Sequence, residues 1–226
     1  MRIDILTLFP EMLAPALDHS IIGRARKKGL LQVCCHQLRD FAQDRGGRVD
    51  DTVFGGGKGM LLAAEPLARG IDALAEHLGF LPHILYMSPR GPVLTQEKAR
   101  RLAQLPGLLL LCGHYEGVDQ RLLDEYQAEE ISIGDYVLTG GELAACIIAD
   151  SVVRLVPGAI GDEASALTDC FQDNLLAPPV YTRPAEFRGW RVPDVLLSGN
   201  FAQIEKWQDD EAWERTRRLR PDLLEE

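Results

Sequence analysis

The chain has 226 residues, of which 46% are hydrophobic and 26% are charged, and its formal net charge is −10. This composition is typical of a packed globular protein and excludes a largely disordered chain. The length allows one large domain or a medium domain with a small one, and no apolar run is long enough to span a membrane. The acidic balance argues against a protein that binds nucleic acid nonspecifically through its overall charge.

The N-terminus reads Met1-Arg2-Ile3-Asp4, which places an acid inside an apolar stretch and offers no small-residue cleavage site. We therefore predict a first strand in place of a signal peptide, and a soluble cytoplasmic protein. The cysteines are odd in number and form no CxxC pair, so neither a disulfide framework nor a zinc site is predicted. They are Cys34, Cys35, Cys112, Cys146 and Cys170.

Strands and helices alternate through the first 160 residues, which predicts an α/β domain built on a mainly parallel sheet. The predicted strands are residues 3–9, 31–38, 83–87, 108–112 and 131–133. The predicted helices are a stretch ending near Gly29, residues 64–78, a helix from the N-cap Thr95 to about residue 106, and residues 142–156. Residues 39–60 are rich in charge and glycine, and we predict a long irregular segment there.

Beyond residue 160 the long periodic runs become few, so we predict a change of domain. The predicted organisation is a first domain over residues 1–160, a linker over 161–173 and a small, mostly helical domain over 174–226. Asn200 is the predicted N-cap of the last helix. Trp190, Trp207 and Trp213 could stack on bases, but we expect at least two of them to pack in a core.

Two basic clusters stand out against the acidic background. One contains Arg24, Arg26, Lys27 and Lys28, and the other contains Arg215, Arg217, Arg218 and Arg220. Either cluster could contact phosphates, although each is interpreted first as a solvated helix face.

Three turns that contain glycine lie beyond predicted strands: the first turn is residues 88–92, the second 113–117 and the third 134–142. In an open parallel sheet, ligands bind beyond the carboxyl ends of the strands. Glycine at such positions lets the backbone approach a flat ligand closely. Any one turn could be an ordinary tight turn, but three together, carrying Tyr115 and Tyr136, predict a ligand pocket.

The glycine cluster at residues 55–59 resembles a phosphate-binding loop only superficially. Thr52 stands where the first glycine is required, and Gly59 stands where Ser or Thr must hold magnesium. No GxGxxG occurs in the chain, so the usual dinucleotide and methyltransferase fingerprints are absent. We interpret the segment as a lid loop.

Several motifs, in order, resemble the bacterial tRNA (guanine-N1)-methyltransferase family. They are GHYEG at 113–117, SIGDYVLTGGE at 132–142, and EAS at 163–165 with Asp169, and shorter matches LFPEM at 8–12, RDF at 39–41, VDD at 49–51, YTRP at 181–184 and LLSGN at 196–200. The resemblance covers nearly the whole chain. This family methylates the guanine just 3′ of the anticodon, position 37 of tRNA, with S-adenosylmethionine as the methyl donor.

The resemblance implies an α/β fold of the SPOUT class with a deep trefoil knot, which periodicity alone does not indicate. It also implies a homodimer whose active site is shared between subunits, and a magnesium dependence in which Glu116 participates, although no residue is assigned as a metal ligand. The cofactor pocket it implies comprises Tyr86, Ser88, Pro89, Gly113, Tyr115, Glu116, Ile133, Gly134, Tyr136, Val137, Leu138, Gly140 and Gly141.

By the same resemblance, Asp169 is the general base and Arg154 is the arginine that acts on the guanine. Without the resemblance, Asp169 would be interpreted as a turn residue of a polar linker, and Arg154 as a cation that favours the end of an apolar helix. The sequence departs from the family at three places: His114 replaces an arginine of some members, Lys58 a frequent proline and Phe201 an expected histidine.

Two other functions remain open on the sequence alone. A ribose 2′-O-methyltransferase of the same knotted class is one, although such an enzyme has no need to deprotonate guanine N1. A noncatalytic tRNA-binding protein is the other, but it predicts a broken cofactor pocket and a more basic surface.

Overall fold

A computed structural model describes residues 1–56, 59–161, 170–171 and 174–224 of the chain. The chain forms two compact units, Met1–Gly161 and Asp162–Glu226, and each is described by itself. None of the described helices is long and apolar enough to cross a membrane.

The first unit contains seven strands and six α-helices among its described residues. The strands are β1 Arg2–Thr7, β2 Gln32–Gln37, β3 Asp50–Thr52, β4 Met60–Leu62, β5 His83–Met87, β6 Gly107–Leu111 and β7 Glu129–Ile131. The helices are α1 Ala14–Leu17, α2 Ser20–Lys27, α3 Ala64–Leu78, α4 Gln96–Ala103, α5 Gln120–Glu125 and α6 Glu142–Val153, with short 3₁₀ turns at Pro10–Met12 and Leu38–Phe41.

Five strands form one sheet in the order β2-β1-β6-β5-β7, and every neighbouring pair is parallel. β6 lies at the centre, and all five of its residues are buried. Its leucines suit this place because a parallel strand covered on both faces has no polar side to present. The predicted α/β class and mainly parallel sheet are confirmed.

The sheet separates two apolar layers, because successive side chains of a strand point to opposite faces. Leu108 and Leu110 pack in the layer that contains buried residues of α2, α4 and α6. Leu109 and Leu111 pack in the layer that contains buried residues of α3 and α5. The central strand thereby contributes to both apolar layers.

Several local predictions agree with the structure. The helix predicted over 64–78 and the strand predicted over 83–87 have the observed bounds of α3 and β5. The side chain of Thr95 accepts a hydrogen bond from the backbone N–H of Lys98 at 3.2 Å, as an N-cap does. In the second unit, Asn200 Oδ1 accepts from the N–H of Gln203 at 3.3 Å.

The segment 39–60 differs from its prediction as an irregular stretch, since it contains β3 and part of an antiparallel β3–β4 pair. These three-residue strands are too short to show alternation, and β3 carries two acids. The helix α5 is a further element that the pattern does not predict, although Asp119 caps it by accepting from the N–H of Arg121 at 3.0 Å. β7 ends at Ile131, before the predicted 133, because Ser132 Oγ already accepts from the N–H of Gly134 in the turn that follows.

The second unit has few elements among its described residues. They are the strands β8 Glu186–Phe187 and β9 Trp190–Arg191, the helices α7 Asp194–Leu197 and α8 Phe201–Leu219, and a 3₁₀ turn at Pro221–Leu224. The antiparallel β8–β9 pair adds a hairpin to a unit for which the sequence predicts mostly helix.

The exposure of the tryptophans differs from the prediction that at least two of them pack in a core. Trp190 is 70% exposed on the hairpin and Trp213 is also exposed, so the expectation that at least two tryptophans pack in a core is wrong. Trp207 alone of the three is half-buried. The physical reason is that the unit buries little: α8 contributes only Ala212 and Thr216 to the buried residues.

Candidate active site

The three glycine-containing turns meet at one edge of the sheet. The first turn follows β5, the second follows β6 and the third follows β7, and these three strands are adjacent in the order β6-β5-β7. Because all of them run parallel, their carboxyl ends lie at the same edge. The sequence could place each turn after a strand, but only the strand order makes the turns neighbours.

Backbone hydrogen bonds tie the turns together. The N–H of Gly141 in the third turn donates to the carbonyl of Gly113 in the second at 3.0 Å. Ser132, just before the third turn, donates to the carbonyl of Pro92 in the first at 2.9 Å and accepts from Leu94 at 2.7 Å. Main-chain hydrogen bonds between the turns therefore hold the edge of the site together.

The turns enclose a pocket with a cavity volume of about 240 Å³. All thirteen residues that the resemblance assigns to the cofactor line this one pocket. The prediction that the three turns together form a pocket is confirmed. The lining residues that sequence reasoning missed are Met87, Arg90, His114, Gly117, Ile131, Ser132, Thr139 and Ala144. Most of them lie between or beside predicted residues, so their position in the same turns could have identified them from the sequence.

The floor of the pocket depends on close packing around Tyr86. A Cβ atom on Gly113 would lie 2.8 Å from Tyr86 Cε2, and one on Gly117 would lie 3.0 Å from Tyr86 Oη. Gly117 also has φ +120, a conformation that favours glycine. Burial raises the pKa of Tyr86, so its hydroxyl stays protonated and adds no charge to the pocket.

The chemistry of the wall suits a flat heterocycle with a cationic group attached. Tyr115, Tyr136 and Glu116 line the pocket together with the glycine turns. Backbone N–H and C=O groups read the edges of a heterocycle, while aromatic and aliphatic side chains cover its faces. Tyr115 has φ +58, a conformation that is unusual for a residue with a side chain and that recurs at ligand sites. These residues fit an adenosine derivative that bears a positive charge.

Arg154 is not among the described residues that line this pocket. Arg154 is the C-cap of α6, whose N-terminal end borders the pocket at Gly141 and Ala144. Twelve helical residues extend about 18 Å, so Arg154 lies near the far end of the helix. Asp169, the residues 163–165 of the matching motif and Lys58 of the glycine cluster lie outside the described residues.

A buried cysteine stands next to the second turn. Burial strongly raises the pKa of Cys112, so its thiol stays protonated and is a poor nucleophile. Within the described ranges, no group of three or more His, Cys, Asp or Glu side chains is arranged to hold a metal ion.

Comparison with known proteins assigns the chain to a family. It matches the family described as tRNA (Guanine-1)-methyltransferase TrmD over residues 1–226. The chain belongs to this family. It is 54% identical to the tRNA (guanine-N(1)-)-methyltransferase of Porphyromonas gingivalis and 50% identical to those of Christiangramia forsetii and Bacteroides thetaiotaomicron, and each alignment covers 100% of both chains. The family recognised from the motifs is confirmed, and the chain is a transferase of that family.

The close contact between the second and third turns predicts that an added methyl group at Gly141 weakens cofactor binding. A Cβ atom on Gly141 would lie 2.7 Å from Cys112 Cα and 3.0 Å from the backbone N of Gly113. We expect Gly141→Ala to push the turns apart and to weaken S-adenosylmethionine binding at least tenfold, measured by calorimetry. Gly161→Ala is the matched control, because a Cβ atom there meets none of the described atoms within 4 Å. Unchanged affinity in Gly141→Ala would show that the turns tolerate separation.

Proposed function

We infer that this chain transfers a methyl group from S-adenosylmethionine to N1 of the guanine just 3′ of the anticodon, position 37, in tRNA. Family membership over the full chain supports the reaction. The observation that carries the assignment of the site is that thirteen residues, drawn from β5, the three turns and the residue just before the third turn, line a single pocket. A noncatalytic tRNA-binding protein has no reason to keep such a pocket.

The proposed chemistry divides between a base and a cation. Guanine N1 carries a proton at neutral pH, so it becomes a nucleophile only as that proton leaves. The carboxylate of Asp169 accepts the N1 proton as N1 forms its bond to the methyl carbon. Negative charge then develops on O6, where the guanidinium of Arg154 stabilises it.

S-Adenosylmethionine supplies an electrophilic methyl group on a sulfonium and leaves as the neutral thioether. The residues proposed to hold it are the thirteen that line the pocket, with Glu116 as the electrostatic partner of the positive charge. The proposal retains the magnesium dependence that the family implies, with no residue assigned as its ligand. We also propose that the three interlocked turns belong to a deep trefoil knot.

We propose that the chain functions as a homodimer with a shared active site. The separation of Arg154 from the pocket along α6 supports this, because a second copy can bring the two ends of the site together. The surface of α6 supports it as well. The helix buries six apolar residues on one side, yet Leu143 and Ile147, one turn apart on the other side, are 55% and 44% exposed.

A charged substitution on this exposed face of α6 tests the proposed dimer. We expect Ile147→Glu to raise the dimer dissociation constant at least a hundredfold and to abolish methyl transfer, because an unpaired carboxylate would be buried between subunits. Light scattering after size-exclusion chromatography measures the mass. Glu97→Ala on α4 is the control and should stay dimeric, since Glu97 is an exposed residue paired with Arg101 within its own helix. A dimeric and active Ile147→Glu protein would contradict the proposed interface.

We propose that residues 1–160 form the cofactor domain, 161–173 the linker and 174–226 a tRNA-binding domain of a cytoplasmic enzyme. The hairpin supports the last assignment, because Trp190 is 70% exposed and the guanidinium of Arg188 stacks 5.1 Å from the centroid of the Phe187 ring. Exposed aromatic and arginine side chains together are the groups that stack on unpaired RNA bases. In contrast, Arg217 and Arg220 of the C-terminal basic cluster are paired with Glu214 and Asp222.

Salt and stacking can be separated experimentally at this hairpin. We expect tRNA affinity to fall with rising salt, because arginines neutralise phosphates. Trp190→Ala should lower affinity about tenfold at every salt concentration. Arg188→Ala, a change of charge in the same hairpin, should instead reduce the slope of the salt dependence by about one unit. Fluorescence anisotropy with tRNA measures both effects, and wild-type affinity in Trp190→Ala would remove the hairpin from the interface.

The function itself is tested with labelled S-adenosylmethionine and an unmodified tRNA transcript. Wild type should form 1-methylguanosine, identified by nucleoside mass. Asp169→Asn, which keeps the shape of the side chain but cannot accept the proton, should slow the transfer at least about 100-fold. Equal rates would leave the enzyme class standing and remove Asp169 as the base. A 2′-O-methylated nucleoside would favour the ribose enzyme, and tRNA binding without transfer by wild type would favour a noncatalytic protein.

A further inference from the structure

A buried carboxylate lies directly behind the pocket. Glu142 is 2% exposed and is the first residue of α6, at the end of the third turn. Its Oε1 accepts a hydrogen bond from the hydroxyl of Thr7 at 2.5 Å. His114 Nε2 lies 2.9 Å from Oε1 and 2.8 Å from Oε2. The proposed chemistry uses none of these three side chains.

The directions of these hydrogen bonds are fixed by their neighbours. The backbone N–H of Phe9 donates to Thr7 Oγ1 at 2.9 Å, which leaves the hydroxyl hydrogen of Thr7 for Glu142. A carboxylate oxygen accepts from an N–H group, so the His114 tautomer that carries its hydrogen on Nε2 donates to Glu142. Glu142 is thus held by two donors that converge on one carboxylate inside the protein.

The cluster connects three different elements at the edge of the sheet. Thr7 ends β1, His114 belongs to the second turn, and Glu142 ends the third turn. Phe9 packs edge-on against the imidazole, with ring centroids 5.0 Å apart. The side chains of His114 and Glu142 thereby link the second turn to the third, and this link accompanies the backbone bond from Gly141 to Gly113.

The pocket wall lies directly on this pair. Gly140 lines the pocket, and a Cβ atom on it would be 2.3 Å from His114 Cε1 and 2.6 Å from Glu142 Oε2. The backbone at residue 140 therefore rests on the imidazole and the carboxylate. Closely packed groups displace one another, so a shift of the pair moves the backbone of the wall.

We propose that His114 and Glu142 are positioning residues, which hold the second turn against the third and preform the S-adenosylmethionine pocket. The proposal rests on the proposed function of that pocket. Tyr115 and Glu116 follow His114 in the chain, so the pair sets where these two side chains stand. Loss of His114 leaves the buried carboxylate of Glu142 without this partner, and loss of Glu142 leaves the imidazole without its acceptor, so the remaining group draws in water or moves outward.

The test separates positioning from folding. His114→Ala should raise the dissociation constant for S-adenosylmethionine at least tenfold, measured by calorimetry. Single-turnover methyl transfer at saturating donor should stay within about threefold of wild type, because neither residue takes part in the proton transfer. His114→Arg should restore affinity to within about threefold, since two parallel N–H groups match a carboxylate. Glu142→Gln, which keeps the shape but points an amide N–H at a donor, should weaken binding several-fold.

His83→Ala is the matched control. His83 Nε2 also pairs with a carboxylate, Glu129 at 2.8 Å, on the same sheet but away from the pocket lining. The affinity of the His83→Ala protein for S-adenosylmethionine should equal that of wild type, whatever its melting temperature.

Two results would overturn the proposal. One is wild-type affinity in both His114→Ala and Glu142→Gln, with only the melting temperature lowered. The other is a folded His114→Arg protein, with the melting temperature of wild type, that binds the donor as weakly as His114→Ala. Failure of wild type itself to bind the donor would instead overturn the proposed function, so the two failures are distinguishable.

Discussion

The burial of β6 on both faces is the constraint on which the rest of the structure depends. Leu108 to Leu111 have no solvent-facing side, so both faces of the sheet must be covered, and both neighbours of β6 run parallel to it, as is typical of a sheet covered by helices on both faces. Parallel strands place all their carboxyl ends at one edge. The location of the pocket is therefore a consequence of how the core is packed.

At that edge, the site is built mainly from backbone. Gly113, Gly140 and Gly141 stand where a Cβ atom would collide with Tyr86, with His114 and Glu142, or with Cys112. The absence of these side chains lets three turns approach closely enough to share main-chain hydrogen bonds. A wall of this kind presents fixed donors and acceptors to a heterocycle and loses little conformational entropy when a ligand binds.

The proposed reaction uses both the pocket and Arg154, and the described residues of the first unit hold these two apart. The pocket lies at the start of α6 and Arg154 at its end, and α6 keeps two apolar side chains exposed between them. In the proposed homodimer, the same helix face that excludes water between subunits also carries Arg154 to the site of a partner. Catalysis and association would then depend on one surface, which explains why an apolar helix ends in a cation.

The sequence by itself determined the α/β class, the bounds of α3 and β5, the caps Thr95 and Asn200, and the family, because these depend on local periodicity, local hydrogen bonds or contiguous motifs. It did not determine the short β3–β4 pair, whose three-residue strands are too short to show alternation, or the exposed hairpin tryptophan, because the described part of that unit buries little. Only the tertiary structure decided that the three turns are neighbours and that Thr7, His114 and Glu142 meet. These residues lie up to 135 positions apart in the chain, and no pattern in the sequence encodes which carboxylate a strand order will bury beside which imidazole.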